Sequence, residues 1–320
     1  MSRVALITGG NSGIGLECAR GLASEGWRVL IASRNRAESE AAARDISRDI
    51  VRGGGGGAVE ALDLDLASTA SVRALAREVI ARGTPLHALI CNAGLQFNHG
   101  PQLSADGYEL TFAVNHLGHF LLTNLLFEEL WKNAPARIVI VASGVHDPAM
   151  RTGMPKPAIS DLDTLATTGG ATRGEFNGRL AYVNSKLCNL WFTYELSRRV
   201  GPRPVTVNAW EPGLVPGSGL ARDYPPVLRF IWDRILPAVT GALSPLIPSL
   251  STKSRSGAAL ARTLIDAEFG STSGKYFPSH TRWREARSSE LSYDAARARE
   301  LWDASVRMSG LAPGESSLSR

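Results

Sequence analysis

Six short apolar runs recur along this chain. Short apolar runs take turns with longer segments of helical spacing. The apolar runs are "RVALITGG", "RVLIASR", "AVEALDLDL", "LHALICNAG", "ARIVIVAS" and "VTVNAW". Between them lie "GIGLECARGLASEGW", "AESEAAARDISRDIV", "STASVRALAREVIARG", "GYELTFAVNHLGHFLLTNLLFEELWKN" and "RLAYVNSKLCNLWFTYELSRRV". In the first of these, Ile14, Cys18 and Leu22 fall on one side of a helix. Ser68 or Thr69 can cap the third. Buried strands alternating with helices predict a parallel sheet covered on both faces.

Right-handed crossovers make such a sheet a doubly wound α/β domain of the Rossmann type. Ligands on these sheets bind beyond the carboxyl ends of the strands. Thr8, Arg34, Asp65, Asn92, Ser143 and Pro212 all fall at or just past predicted strand ends, so they gather on one edge. No second domain boundary is visible in residues 1–320. Residues 215–254 read as an insertion after the sixth strand, and 288–320 as a C-terminal helix with a polar tail.

Composition narrows the class. At 320 residues and 44% hydrophobic, the chain can bury a large core without staples. Its three cysteines, Cys18, Cys91 and Cys188, are odd in number and far apart. That argues against a disulfide framework and against a zinc site and fits a reducing compartment. The first predicted strand starts at Val4, which leaves no room for a signal peptide and gives a cytoplasmic expectation. The net charge of +5 comes from dispersed arginines, with no basic run carrying interleaved aromatics. The pattern fits an anionic small ligand better than nucleic acid.

"TGGNSGIG", Thr8 to Gly15, joins the first strand to the first helix. Gly9, Gly13 and Gly15 permit a tight turn and let backbone amides approach a pyrophosphate, with the helix N-terminus adding its positive dipole end. Asn11, Ser12 and Ile14 belong to the same loop. The alternative is a plain strand–helix turn, but the strand–turn–helix context favours a dinucleotide. The second strand ends in Ser33-Arg34 rather than in an acid. An arginine there, with Arg36 as a helper, pairs with a ribose 2′-phosphate and points to NADP(H); otherwise Arg34 only solvates a strand end.

Tyr182 and Lys186 are one helical turn apart and project from one face. A phenol, with an ordinary pKa near 10, is a poor acid–base catalyst at neutral pH unless shifted, and an ammonium one turn away would stabilise its phenolate.

Taken together, the motifs resemble those of the short-chain dehydrogenase/reductase family over roughly residues 3–280. The glycine turn matches TGxxxGxG, Asn92-Ala93-Gly94 matches NAG, and Tyr182/Lys186 match YxxxK, with Asn115, Ser143 and Pro212-Gly213 in the expected order. "VNHLGHFLLTNLL" and "YVNSKLCN" are similar to the retinol dehydrogenase branch. The segment between Ser143 and Tyr182 and the C-terminal "SSELSYDAARARELWDASVRMSGLA" are similar to light-dependent protochlorophyllide reductases. Those reductases carry a cysteine between the serine and the tyrosine, and they usually read NAA. This chain has no cysteine from Gly144 to Ala181 and reads NAG.

The resemblance implies roles. Tyr182 is the acid/base. Lys186 also bonds the nicotinamide ribose. Ser143 holds the substrate oxygen, and Asn115 binds a water linking Lys186 to solvent. Asp65, followed by Leu66, places a carboxylate by the adenine amine, with Asp63 as the competing choice and "DLAS" at 65–68 favouring Asp65. Asn92 ties strand ends together, while Ala93, Gly94, Pro212 and Gly213 approach the cofactor. Ser218 stands where the family often has a threonine. Cys188 reads as core packing. His116 and His119, three apart with no third ligand, read as a packed or solvated pair rather than a metal site.

The stretch from Pro225 to Leu250 is rich in Trp, Phe, Leu and Pro but too interrupted to span a bilayer. It can be a lid over a large apolar substrate, the favoured reading, an interfacial membrane contact, or a helical insertion packed on the core. The expectation is an NADP(H)-dependent oxidoreductase acting on a carbonyl or alcohol of a bulky apolar substrate. The alternatives are reduction of a carbon–carbon double bond in a pigment-like molecule and a nucleotide-binding protein without catalysis. A monomer and a homo-oligomer are both compatible with the sequence.

Overall fold

The computed structural model of the chain describes residues 2–97, 100–170, 176–219 and 225–318. Residues 220–224 of the expected insertion and 319–320 of the expected tail lie outside the described residues.

The first half builds β1 (Val4–Thr8), α1 (Gly13–Ser24), β2 (Arg28–Ser33), α2 (Arg36–Arg52), β3 (Ala58–Asp63), α3 (Thr69–Ala81) and β4 (Ala88–Cys91). The second half adds β5 (Ala136–Val141), β6 (Val205–Glu211) and β7 (Lys275–Pro278). Seven strands form one sheet in the order β3-β2-β1-β4-β5-β6-β7, every neighbouring pair parallel. The strand order reverses between β1 and β4, and that switch opens the ligand crevice.

Strand residues alternate between two cores. Leu6, Leu30, Leu89, Ile138 and Val207 face α3 and the helices Leu110–Lys132 and Gly178–Val200. Ile7, Val29, Ile31, Ile90 and Val139 face α1, α2 and the helix Lys253–Ile265. Double-sided burial is why these strands read as nearly continuous apolar runs. The last helix, Ala295–Ser309, seats Trp302 edge-on against Phe120 with ring centroids 4.9 Å apart. Gly257 lets the helix Lys253–Ile265 approach α1, since a Cβ there would lie 2.2 Å from Glu17 Cβ. Cys18, Cys91 and Cys188 are all buried thiols.

Two local details differ from the sequence reading or decide it. β7, "KYFP", is a seventh strand in a stretch without a strand signal. It is only four residues long and ends in proline, which an edge strand tolerates because its outer side needs no donor. Ser68, not Thr69, caps α3, accepting from the Ser71 amide at 3.3 Å, while Thr69 bonds Asp106 instead.

Candidate active site

The loop after β1 is built around glycine conformations that other residues rarely adopt. Gly9 and Gly13 have φ of 66° and 59°. A Cβ on Gly15 would sit 2.5 Å from both Asn92 Nδ2 and the Gly9 carbonyl. Close approach of α1 to the β4 end therefore requires glycine. Ser12 precedes α1 in extended conformation without capping the helix, so the amides of the first turn stay open to the adjoining cavity. Asn11, Ser12, Gly13 and Ile14 line that cavity.

Thr8 locks the loop to β4. Its hydroxyl accepts from the amides of Asn92 and Ala93, each at 3.0 Å, and lies 2.8 Å from His119 Nε2. Asn92 Nδ2 donates back to the carbonyls of Thr8 and Gly9, at 2.8 and 3.3 Å. Asn92, Ala93 and Gly94 line the cavity, with the Asn92 side chain acting as a strap between strand ends.

At the β2 and β3 ends, Arg34, Asp65 and Leu66 line the cavity and Asp63 does not. The Asp65 carboxylate accepts from the Ala67 amide at 3.0 Å. Arg36 does not assist Arg34. Its guanidinium is committed to Glu40 and Asp63, each at 2.9 Å, because the first turn of α2 aims it at the β3 end. Glu38 is a wall residue that motif reading passed over; its carboxylate accepts from Asn11 Nδ2 at 3.2 Å.

Ser143 and Tyr182 both line the cavity near the β5 end, with Lys186 one turn beyond Tyr182. Tyr182 and Lys186 are only 5% and 3% exposed. Lys186 Nζ lies 5.7 Å from the Tyr182 ring centroid and donates to the Val141 carbonyl at 3.0 Å. Burial lowers the Lys186 ammonium from 10.5 to about 8. Ser143 is extended, and its carbonyl accepts from His146 Nδ1 at 2.6 Å.

Asn115 stands behind this group rather than on the cavity wall. It lies in a π-helical turn, Ala113–Leu117, inside the helix Leu110–Lys132. Its Oδ1 accepts from the Leu95 amide at 2.8 Å, and Nδ2 donates to the Leu95 carbonyl and Ser185 Oγ, both at 3.0 Å. Both side-chain N–H groups are thus engaged in holding the β4 loop against the Tyr182 helix. A Cβ on Gly94 would come within 3.5 Å of Asn115 Oδ1 and 3.6 Å of Lys186 Nζ, so the three residues converge.

The histidines serve packing and hydrogen bonding. His116 bonds Ser305 Oγ at 2.8 Å among Phe112, Phe120 and Phe192. His119 bonds Thr8 and the Asn115 carbonyl. Burial lowers them to about 3 and about 4, so both are neutral. Cys188 packs beside Phe112, Leu165 and Trp191.

Past β6, Gly213 (φ 85°) turns the chain along the cavity beside Pro212. Glu211 organises this turn and was not singled out from sequence, although a carboxylate ending an apolar strand was visible. Its buried oxygens accept from Gly213 N at 2.7 Å and from Ser279 N and Oγ at 2.8 and 3.0 Å. Ser218 lines the cavity with a buried hydroxyl that has no partner among the described residues. Its carbonyl accepts from Trp232 Nε1 at 3.0 Å, and Trp232 itself lines the cavity. The cavity has a volume of about 900 Å³.

A doubly wound sheet with a glycine turn at its switch point, and a serine, tyrosine and lysine lining one cavity, has the architecture of an α/β oxidoreductase. The short chain dehydrogenase model matches residues 3–153. Human retinol dehydrogenase 12 is 37% identical over 310 residues, covering 97% of this chain and 87% of that protein. The chloroplastic protochlorophyllide reductase of Chlamydomonas reinhardtii is 33% identical, covering 97% and 78%. The human WW domain-containing oxidoreductase is 40% identical over 222 residues, 69% of this chain, and the chain matches 51% of its length, about half. Among solved structures, an uncharacterized protein from Mycobacterium paratuberculosis superposes with a TM-score of 0.68 at 29% identity, covering 96% of this chain and 93% of that one. The chain belongs to the short-chain dehydrogenase family.

Proposed function

We propose that this chain is an NADP(H)-dependent oxidoreductase that moves a hydride between the nicotinamide and a carbonyl or alcohol carbon of a bulky apolar substrate. The observation that carries the reading is the convergence of Ser143, Tyr182 and Lys186 on the cavity that the glycine turn opens. The residues present fit the cofactor. The α1 amides would hold the pyrophosphate, Asp65 the adenine amine, Arg34 the 2′-phosphate and Lys186 the nicotinamide ribose. The bound cofactor supplies the hydride.

This chain's own residues handle the proton and the charge. Ser143 Oγ orients the substrate oxygen. Tyr182 Oη delivers the proton to that oxygen as negative charge develops on it. The Lys186 ammonium stabilises the phenolate left behind. Asn115 fixes the β4 loop, and with it the wall against which substrate sits. Trp232 and the apolar walls at Val145, Met150, Leu214 and Val215 fit a large apolar body, supporting the lid reading of the insertion.

The test is NADPH consumption with a panel of aldehydes, ketones and quinones, with product identification. Long apolar carbonyls should be reduced to alcohols. Arg34→Ala should raise the NADPH Michaelis constant ~10- to 100-fold and leave NADH nearly unaffected. Equal use of both cofactors by the unmodified protein would remove the 2′-phosphate assignment. The second reading, reduction of a carbon–carbon double bond in a pigment-like substrate, is favoured by the match along nearly the whole chain to a protochlorophyllide reductase. A protein that binds nucleotide without turnover is the third, and it leaves the buried Tyr182–Lys186 pair without a use.

A further inference from the structure

The Tyr182 helix carries a third polar residue on the cavity. Arg179 precedes Tyr182 by three positions and lines the same wall. Residues three apart share a helix face, and the rise places Arg179 about 4.5 Å further along the axis than Tyr182 and about 10 Å from Lys186. Lys186 is anchored to the sheet through the Val141 carbonyl. Arg179 is therefore at the outer end of this row, on the far side of Tyr182 from the sheet.

Arg179 is held in place without being neutralised. Its Nη2 donates to the Gly153 carbonyl, and its Nε donates to Met154 Sδ at 3.4 Å. Arg151, on the segment following Ser143, also lines the cavity. Neither guanidinium makes an ion pair with a carboxylate among the described residues. The carboxylates that do line the cavity are engaged elsewhere: Glu38 with Asn11, Asp65 with the Ala67 amide, and Glu211 with Gly213 and Ser279. By contrast, Arg36, just off the cavity, is paired with two carboxylates. The segment that carries Ser143 and Arg151 also contributes apolar lining from Val145, Met150 and Met154, with Thr152 as a polar member of the same stretch.

We infer that Arg151 and Arg179 form an anion subsite, and that the substrate is an amphiphile: an apolar body with a carboxylate at the end remote from the reacting carbon. A guanidinium presents a rigid planar fork that takes both oxygens of a carboxylate. One already oriented by Gly153 and Met154 loses little freedom on binding. Two guanidiniums without a carboxylate partner among the described residues also draw anionic substrate toward the chamber. This inference rests on the proposed carbonyl reduction for its choice of substrates.

The test uses 12-oxododecanoate and its methyl ester as paired aldehydes with the full-length protein and NADPH. The acid should exceed the ester in kcat/KM by about tenfold or more, mostly through KM. In the R151Q/R179Q double variant the ratio should collapse to within ~twofold, and Arg179→Lys with Arg151→Lys, which keeps the charge but not the fork, should fall between. An acid-to-ester ratio near one in the unmodified protein, or one that survives the double variant, overturns the inference. If neither aldehyde is reduced, the carbonyl reading fails by itself. The subsite is then read by calorimetry of dodecanoate against dodecanol on the NADP-loaded protein. A preference for dodecanoate that the double variant loses supports the subsite, and equal affinity overturns it.

Discussion

Two apolar helices flank the chemistry, and they could hardly be placed more differently. The helix Leu110–Lys132 is long and apolar enough to cross a bilayer by composition, yet its apolar window is 94% buried in the fold. Phe120 and Phe127 on it are fully enclosed. The segment 226–243 is also rich in apolar residues, though broken by Arg229, Asp233 and Arg234; Val227 is 71% and Phe230 60% exposed, and Thr240 is its one buried residue. Apolarity alone does not say which helix is core. The first presents apolar side chains on all sides to the sheet and to neighbouring helices, whereas the second is tied to the cavity mainly through Trp232. The active site lies between a fixed wall and a lightly held one. Proton transfer should depend on the first, substrate choice on the second.

The largest effect should come on the fixed side. Tyr182→Phe keeps the ring and its packing but removes the phenolic proton, so turnover should fall ~100- to 10,000-fold while NADPH still binds. Lys186→Ala should lower rate and cofactor affinity together, and the two losses should not add because both residues serve one proton transfer. Near-normal carbonyl reduction by folded Tyr182→Phe would transfer the proton donor's role elsewhere.

Two phenylalanines distinguish the enclosed helix from the exposed one. Phe127→Ala should cost about 3–5 kcal/mol in denaturant unfolding, the usual range for an enclosed aromatic. Phe230→Ala should stay within about 0.5 kcal/mol, because its ring is already mostly in water. Equal costs would mean that residues 226–243 are covered in solution, by a bilayer, a second copy or a closed lid.

A pH effect of somewhat smaller size sharpens the account of the fixed wall. The Lys186 ammonium is held at about 8 in the folded chain against 10.5 ordinarily. The folded state therefore binds fewer protons than the unfolded one between those values, and stability contributed at this site rises with pH across that window. Below about pH 8 both states are charged and the burial penalty is fully present. Cofactor-free Lys186→Met should therefore be stabilised relative to the unmodified protein at pH 7, by ~3 kcal/mol at most, with the gap narrowing toward pH 10.5. A gap independent of pH would mean the ammonium is not desolvated.

The smallest expected effect lies on the lightly held side. Trp232→Ala should weaken long apolar substrates several-fold more than short ones and leave NADPH affinity nearly unchanged. Equal losses for every substrate would reduce the segment to a stability element.

Legibility in the sequence divides along the same line. The strands, the glycine turn and the Tyr182–Lys186 spacing were readable because each is local: a period, a turn geometry or a one-turn spacing. Ser143, far from Tyr182 in sequence, received its role only through the family motif. Asp65 could be separated from Asp63 only through the motif, and the structure puts only Asp65 on the cavity. What escaped is non-local. Arg36 looked available to a phosphate until Glu40 and Asp63 were seen to hold it. Glu211 takes its meaning from Ser279, 68 positions away. β7 is defined by pairing with β6 rather than by any pattern of its own. Asn115 was found by motif, but its engagement with Leu95 and Ser185 was visible only in three dimensions.

The fate of the hydride separates carbonyl reduction from the other readings. Reduction of a long-chain aldehyde or ketone with NADPH deuterated at the transferring position should place one deuterium on the carbon that bears the new hydroxyl, with the solvent-derived proton on oxygen. Mass spectrometry and NMR of the product read this directly. Deuterium on a former carbon–carbon double bond with the carbonyl intact, or NADPH binding without any transfer of label, would contradict it.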